Sequence, residues 1–267
     1  MSNCARVAGE CGRCDGELPF EFTMAFQPII DLAKARTLSY EALVRGPNGE
    51  SAWSILSRVT DDTLYRFDQA CRVRAIELAS RLEMQENLSI NFLPNAVYEP
   101  EACIQATLEI SERVGWPTQR LIFEITETEK VQDRQHLRNI LETYHAMGFT
   151  TALDDFGNGY ANLDLLTDLH PDRLKIDREL IKGCDVDIRR QVLVRSVKGL
   201  ADELGILVMA EGVETREEAL WLGRNGITRQ QGFYFARPQL ESLGEDLRPR
   251  LKELREEMRF GADADQP

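Results

Sequence analysis

The chain has 267 residues, 43% of them hydrophobic and 29% charged, as in an ordinary soluble globular protein of one large domain or two small ones with a sizeable core, and α/β barrels of about 250 residues routinely form one domain. Its formal net charge of −13 argues against binding DNA or RNA duplexes, which rests on Lys and Arg, and against attraction to an anionic membrane surface. A small phosphate ligand is still compatible with that charge, because bound cations invert the local field of an acidic pocket.

No apolar run approaches the roughly 18–20 residues that span a bilayer, and the N-terminus opens no apolar signal core, so a cytoplasmic location is expected. Residues 1–19, rich in Gly, Cys and charge and closed by Pro19, read as an N-terminal extension. Residues 20–260 read as one barrel without an internal repeat or low-complexity linker, and residues 261–267 as a flexible acidic tail. The six cysteines are expected to be reduced. In the extension, Cys11 and Cys14 have the Cys-x-x-Cys spacing, with Cys4 nearby. That suits a metal or redox site, or simply idle thiols, and three thiols with no nearby histidine leave a tetrahedral zinc site one ligand short.

Beyond the extension, strand-like and helix-like patterns alternate. Strands are predicted at Met24–Ile30, Leu38–Val44, Leu88–Phe92, Leu121–Ile125, Thr150–Leu153, Arg173–Ile176, Leu207–Ala210 and Arg229–Gln231. Helices are predicted at Asp61–Leu82, Glu101–Val114, Gln132–Met147, Ile188–Leu204 and Arg216–Arg224. Gly115, Gly148 and Gly205 each follow a helical pattern, where a terminating glycine is favoured. Eight strands alternating with helices imply a mostly parallel sheet, and the number eight favours closure. The first two strands are separated only by Asp31–Thr37, a link too short for a parallel crossover. The fold expected is therefore a modified TIM-type (β/α)8 barrel with an antiparallel first strand.

Polar residues recur at the C-terminal ends of the apolar strands: Glu41, Asn91, Glu124, Asp154 with Asp155, Lys175, Glu211 and Gln231. A single strand-end Glu reads equally well as an ion-pair partner or a helix cap, Lys175 alone as a solvated or paired surface lysine, and Gln231 alone carries no signal. Seven of eight strand ends together point to a site, because an acid is costly to bury there unless it binds something, and that end of a barrel carries the active site. The donors are oxygen-rich, and none of the three histidines, His136, His145 and His170, falls on these strand ends. That disfavours zinc and favours Mg²⁺ or Mn²⁺, two per site, with one Asp shared between them. Lys175 among carboxylates is expected to stay protonated and to act as an electrostatic stabiliser or water orienter, not as a base. The stretch Asp155-Phe156-Gly157-Asn158-Gly159-Tyr160 reads either as a loop turning beside a ligand or as an ordinary strand-to-helix turn.

These residues carry a resemblance. Tyr40-Glu41-Ala42-Leu43-Val44-Arg45 resembles the signature of the EAL phosphodiesterases. Ile90-Asn91-Phe92, Phe123-Glu124-Ile125-Thr126-Glu127, Asp154-Asp155-Phe156-Gly157, Lys175-Ile176-Asp177, Ala210-Glu211-Gly212-Val213-Glu214 and Gln231-Gly232-Phe233 resemble its further motifs, in the family's order, over Phe20 to Leu247. The resemblance implies hydrolysis of cyclic di-GMP to the linear dinucleotide pGpG in a homodimer. The alternative is a catalytically silent cyclic di-GMP receptor or a protein-interaction EAL domain. It implies that Glu41, Asn91, Glu124 and Asp154 would hold one metal, and Asp154, Asp155 and Glu211 the second. Lys175 would orient the attacking water and Gln231 would support it. Arg45 would contact a substrate phosphate, Gln27 would face a guanine, Glu127 would brace the Asp155–Leu163 loop, and Glu214 would play a supporting part. The chain departs from the family pattern at Tyr160-Ala161-Asn162-Leu163, at Gly46 where an aromatic residue often stands, and at Phe233 where Tyr is commoner.

Overall fold

The computed structural model describes residues 6–7, 10–11, 16–97, 99–126, 134–158, 163 and 165–262. Near the N-terminus, β1 (Arg6–Val7) and β2 (Glu10–Cys11) form a short antiparallel pair. A long hairpin of β3 (Thr23–Asp31) and β4 (Arg36–Arg45) follows, then α1 (Ala52–Leu56) and α2 (Leu64–Arg81). The chain continues through β5 (Asn87–Phe92), α3 (Pro100–Cys103), α4 (Gln105–Val114), β6 (Leu121–Thr126), α5 (Arg134–Ala146), β7 (Thr150–Phe156) and α6 (Leu165–Asp168). It ends with β8 (Arg173–Ile176), α7 (Arg178–Ile181), α8 (Ile188–Glu203), β9 (Leu207–Ala210), α9 (Arg216–Arg224), β10 (Arg229–Gln230), β11 (Gln239–Leu240) and α10 (Arg248–Ala262).

Strands β4 to β10 run parallel in chain order, and β3 closes the barrel by pairing antiparallel with both β4 and β10. The expected barrel with a reversed first strand is what forms. The short link after β3 forces the hairpin, and the short strand β11 pairs with the outer part of β3. Apolar side chains pack around the sheet in two bodies. One lies under α2, α4 and α5, where Phe92, Phe123, Tyr144 and Phe149 meet with ring centroids 5.0 to 5.8 Å apart, mostly tilted or edge-on as aromatic quadrupoles favour. The other lies under α8, α9 and α10, around Ile176, Val194, Leu222 and Leu251.

The short helices α1, α6 and α7 were not among those expected, and two larger helical differences stand out. The helix expected over Glu101–Val114 starts at Pro100 and breaks at Ile104. The Gln105 side chain donates to the Glu101 carbonyl at 2.8 Å, a local bond that competes with the helix ladder. The second change is α10, for which no helix was expected. Its few apolar residues, Leu251, Leu254 and Met258, are spaced three to four apart among charges and face the second body.

One charge pair is fully enclosed in the first body. Asp68 and Arg72, both buried on α2, pair at 2.8 Å, and the other Asp68 oxygen accepts the Leu93 amide at 3.0 Å. Asp68 thereby ties α2 to the segment leaving β5. Asp68→Ala strands the Arg72 guanidinium and one backbone donor in the core, so it is expected to lower unfolding stability by about 3–5 kcal/mol in urea titrations.

Candidate active site

The barrel brings one polar side chain per strand to its C-terminal mouth. Register explains the convergence: Gln27 on β3 lies opposite Glu41 on β4, and Asn91 on β5 lies beside Glu124 on β6. Asp154 lies two residues before the end of β7, Lys175 lies in β8, and Glu211 and Gln231 directly follow β9 and β10.

Lys175 is fully buried at the centre. Its Nζ lies 2.7 Å from Glu124 Oε2, 3.2 Å from Asp154 Oδ1 and 3.7 Å from Glu41 Oε2, and it contacts Glu211 Oε1. Burial alone would lower the Lys175 pKa, but Asp154, Glu124, Glu211 and Glu41 outweigh it and hold the ammonium protonated well above the usual lysine range. The carboxylates respond in the opposite sense. Burial, reinforced by Glu41 and Asp154 against the pull of Lys175, pushes Glu124 up to about 8. Burial pushes Glu211 well above the carboxylate range, and burial with the charges of Asp154 and Asp177 pushes Asp155 up to about 6.

Amides bind this cluster into the wall. Asn91 Nδ2 donates to Glu41 Oε1 at 2.8 Å, and Gln231 Nε2 donates to Glu41 Oε2 at 2.7 Å and to Gln27 Oε1 at 3.2 Å. Gln27 in turn donates to the Ala236 carbonyl at 3.0 Å. Gly232 sits where a Cβ would fall 2.1 Å from the Val213 carbonyl oxygen, so only glycine lets the segment after Gln231 pass the Glu211–Val213 turn.

Asp154 and Asp155 are consecutive, and in a regular strand they would point to opposite faces. The pairing of β7 with β8 shifts register between Leu153 and Phe156, and Asp155 is in the left-handed region at φ +57°. The irregularity brings both carboxylates to one cavity of about 320 Å³, shared with Gln27, Glu41 and Glu211 and bordered by Phe233. Asp154 Oδ1 also accepts the Asp155 amide at 2.9 Å. A neighbouring apolar groove of about 380 Å³, lined by Met24, Ala42, Leu56, Phe67 and Ile90, reaches Asn91 and Asp154.

The donor set fits a hard divalent cation. Glu41, Glu124 and Asp154 offer oxygens within 4.8 Å of one another, and so do Asp154, Asp155 and Glu211, with Asp154 common to both groups. The Asn91 Oδ1 atom is buried with no hydrogen-bond partner among the described residues. An amide oxygen buried in this way has the chemistry of a ligand awaiting a cation.

Among the other residues singled out from the sequence, Arg45 lies at the end of β4 and is not part of the lining of the acidic cavity. Its Nη1 donates to the Val44 carbonyl at 2.7 Å. Glu127 and the side chains of Cys4, Cys11 and Cys14 lie outside the described residues, as do residues 159–162 of the loop after Asp155. His145 stands at the opposite end of β7, 2.9 Å from Asp172. Arg178, the first residue of α7, was not anticipated and lines the cavity; its position directly after Lys175-Ile176-Asp177, at a strand end, was the available signal.

A closed barrel with an oxygen-donor cation site at the C-terminal mouth defines a class of metal-dependent barrel proteins. The EAL domain model matches residues 20–238, and the chain belongs to the EAL domain family, a family of hydrolases. A standalone EAL protein from Vibrio cholerae O395, solved with cyclic di-GMP bound, superposes with a TM-score of 0.85 at 47% identity, covering 88% of this chain and 99% of that one. BlrP1 from Klebsiella pneumoniae, in a calcium and cyclic di-GMP complex, gives 0.80 at 37% identity over 87% of this chain and 59% of that one. Curated relatives include the Escherichia coli antirepressor BluF, 33% identical over 82% of this chain and 55% of that protein. They also include the Escherichia coli probable cyclic di-GMP phosphodiesterase PdeG, 36% identical over 60% of this chain and 32% of that protein. The chain thus spans about a third to about half the length of these two curated relatives. Among the described residues, no helix is long and apolar enough to cross a membrane.

A cation binds the ionised carboxylates, so it competes with protons. With Asp155 titrating at about 6 and Glu124 at about 8, both acids lose their protons as pH rises through that window. Apparent Mn²⁺ affinity is therefore expected to rise steadily between pH about 6 and about 8.5, as followed by calorimetry, and a flat profile would contradict the role of these two acids.

Proposed function

We propose that the chain is a cyclic di-GMP phosphodiesterase that hydrolyses one of the two phosphodiester bonds to give linear pGpG. The observation that carries this reading is the complete oxygen-donor set gathered around one buried lysine, with the Asn91 Oδ1 atom unsatisfied. Glu41, Asn91, Glu124 and Asp154 would hold one Mg²⁺ or Mn²⁺, and Asp154, Asp155 and Glu211 the other. Such a cation pair supplies an activated water and neutralises charge on the reacting phosphate.

The chain's own residues do the rest. Lys175, held protonated, presents N–H donors beside Glu124 and Asp154, where it orients the attacking water and stabilises charge that grows in the transition state. Gln231 fixes the orientation of Glu41 from the other side of the barrel closure, and Gln27 borders the cavity where a base would enter. Arg45 is the candidate for one substrate phosphate, Glu127 for bracing the loop after Asp155, and Glu214 for support at the rim. Two copies are proposed to pair, a reading supported by the exposed apolar residues Val186, Ile188, Val192 and Leu193.

Purified protein with Mn²⁺ or Mg²⁺ is expected to convert cyclic di-GMP to pGpG on product chromatography. With Ca²⁺ it is expected to bind the ligand with little turnover, since Ca²⁺ prefers more ligands and longer bonds. Glu41→Ala is expected to abolish turnover while the protein keeps its fold. Lys175→Ala is expected to lower kcat by about 10²–10³-fold with little change in affinity for cyclic di-GMP. The name of BluF, an antirepressor, supports a second reading in which the EAL domain acts by binding a partner. Tight binding of cyclic di-GMP with no product in either metal would favour that reading over the enzyme.

A further inference from the structure

We infer that Arg178 anchors the substrate phosphate that is not being cleaved, and so selects a ligand with two phosphates over a single phosphodiester; this rests on the phosphodiesterase reading above. Arg178 lines the acidic cavity together with Glu211, Gly212 and Glu214. It begins α7, directly after Asp177, which caps that helix by accepting the Glu179 amide at 2.8 Å.

Its direction is built in. A Cβ on Gly212 would fall 2.5 Å from both Cβ and Cγ of Arg178, so the arginine stem lies flat against the residue that follows Glu211. The guanidinium then meets Glu214, with Arg178 Nη2 2.7 Å from Oε1. Buried Glu218 fixes the two segments that carry this pair. One of its oxygens accepts the Gly183 amide at 2.8 Å, just after α7, and the other accepts the Glu214 and Thr215 amides at 2.9 and 3.1 Å. The backbone segments that carry the pair are thus held together at the cavity edge.

Charge accounts for the need. When ionised, Glu41, Glu124, Asp154, Asp155 and Glu211 carry five negative charges, and Lys175 carries one positive. Two divalent cations bring that set to neutrality. A cyclic dinucleotide adds two negative phosphates that this neutral set does not balance. Arg45, outside the cavity lining, is the candidate for one of them, and Arg178 is the guanidinium in the cavity wall that can answer the other, with the planar donor fork that suits phosphate oxygens. Glu214 holds the guanidinium half-exposed until a phosphate takes its place.

The test compares cyclic di-GMP with bis(4-nitrophenyl) phosphate, which has a single phosphodiester, on the full chain with Mn²⁺, and adds calorimetric binding of cyclic di-GMP in Ca²⁺. Arg178→Met is expected to raise both KM and Kd for cyclic di-GMP about tenfold, with kcat moving less than about twofold. The ratio of kcat/KM between the two substrates is expected to fall by the same factor, and Arg178→Lys to recover part of it because the charge returns without the fork. Thermal melts of both variants establish that the fold is kept. Unchanged cyclic di-GMP binding in Arg178→Met, or an equal loss on both substrates, would overturn the inference while leaving the phosphodiesterase reading intact. A wild-type chain that neither binds nor cleaves cyclic di-GMP would overturn both.

Discussion

The mutual repulsion of carboxylates at the mouth of the barrel is the constraint on which the site depends. Glu41, Glu124, Asp154 and Glu211 all approach the same buried ammonium of Lys175. Burial first, and then the charges of neighbouring carboxylates, raise their proton affinity, which takes Glu124 to about 8 and Asp155 to about 6. A flexible scaffold would let such groups move apart. Here each acid is placed by its own strand, and the strands are locked by a closed ladder of backbone hydrogen bonds, so the repulsion is retained as an affinity for cations.

Closure and chemistry meet at one seam. The barrel closes where β3 pairs with both β4 and β10, and Gln27, Glu41 and Gln231 come together there. Both oxygens of Glu41 are held by neutral amides, one from Asn91 and one from Gln231. The carboxylate is therefore aimed before any ligand arrives. The reversed β3 strand contributes to this, because it places Gln27 opposite Glu41.

Much of this was legible in the sequence because strand ends are local features. An acid closing a short apolar run is visible without knowing what lies beside it, and eight runs in order define the ring. What was hidden depends on backbone detail. Asp154 and Asp155 share a cavity only because β7 is irregular and Asp155 adopts a left-handed conformation, and no periodic pattern announces that. Arg178 stands one residue beyond a motif and reads as an ordinary helix-starting arginine until Gly212 is seen beneath it. The helix α10 escaped notice because its apolar stripe is sparse among charged residues. The break at Ile104 is accompanied by a side-chain hydrogen bond that no periodic pattern shows.

The molecule also holds a second enclosed set of charges, and the contrast shows why one is a site and the other is not. Asp68 and Arg72 are as deeply buried as Lys175, yet they form one anion and one cation, with the remaining Asp68 oxygen given to the Leu93 amide. No net charge is left over for a ligand to neutralise, although Arg72 Nη1 is buried with no hydrogen-bond partner among the described residues, and the pair acts on the fold by joining α2 to the end of β5. Around Lys175 the acids outnumber the cation, and the Asn91 oxygen beside them has no donor. Burial alone does not separate the two assemblies. The separation comes from stoichiometry: a balanced pair in a core is complete, whereas an enclosed surplus of negative charge is stable only if protons or metal ions join it. Both assemblies bear on Asn91, one through the backbone two residues downstream and the other through its side chain, so the structural pair helps to place a member of the functional one.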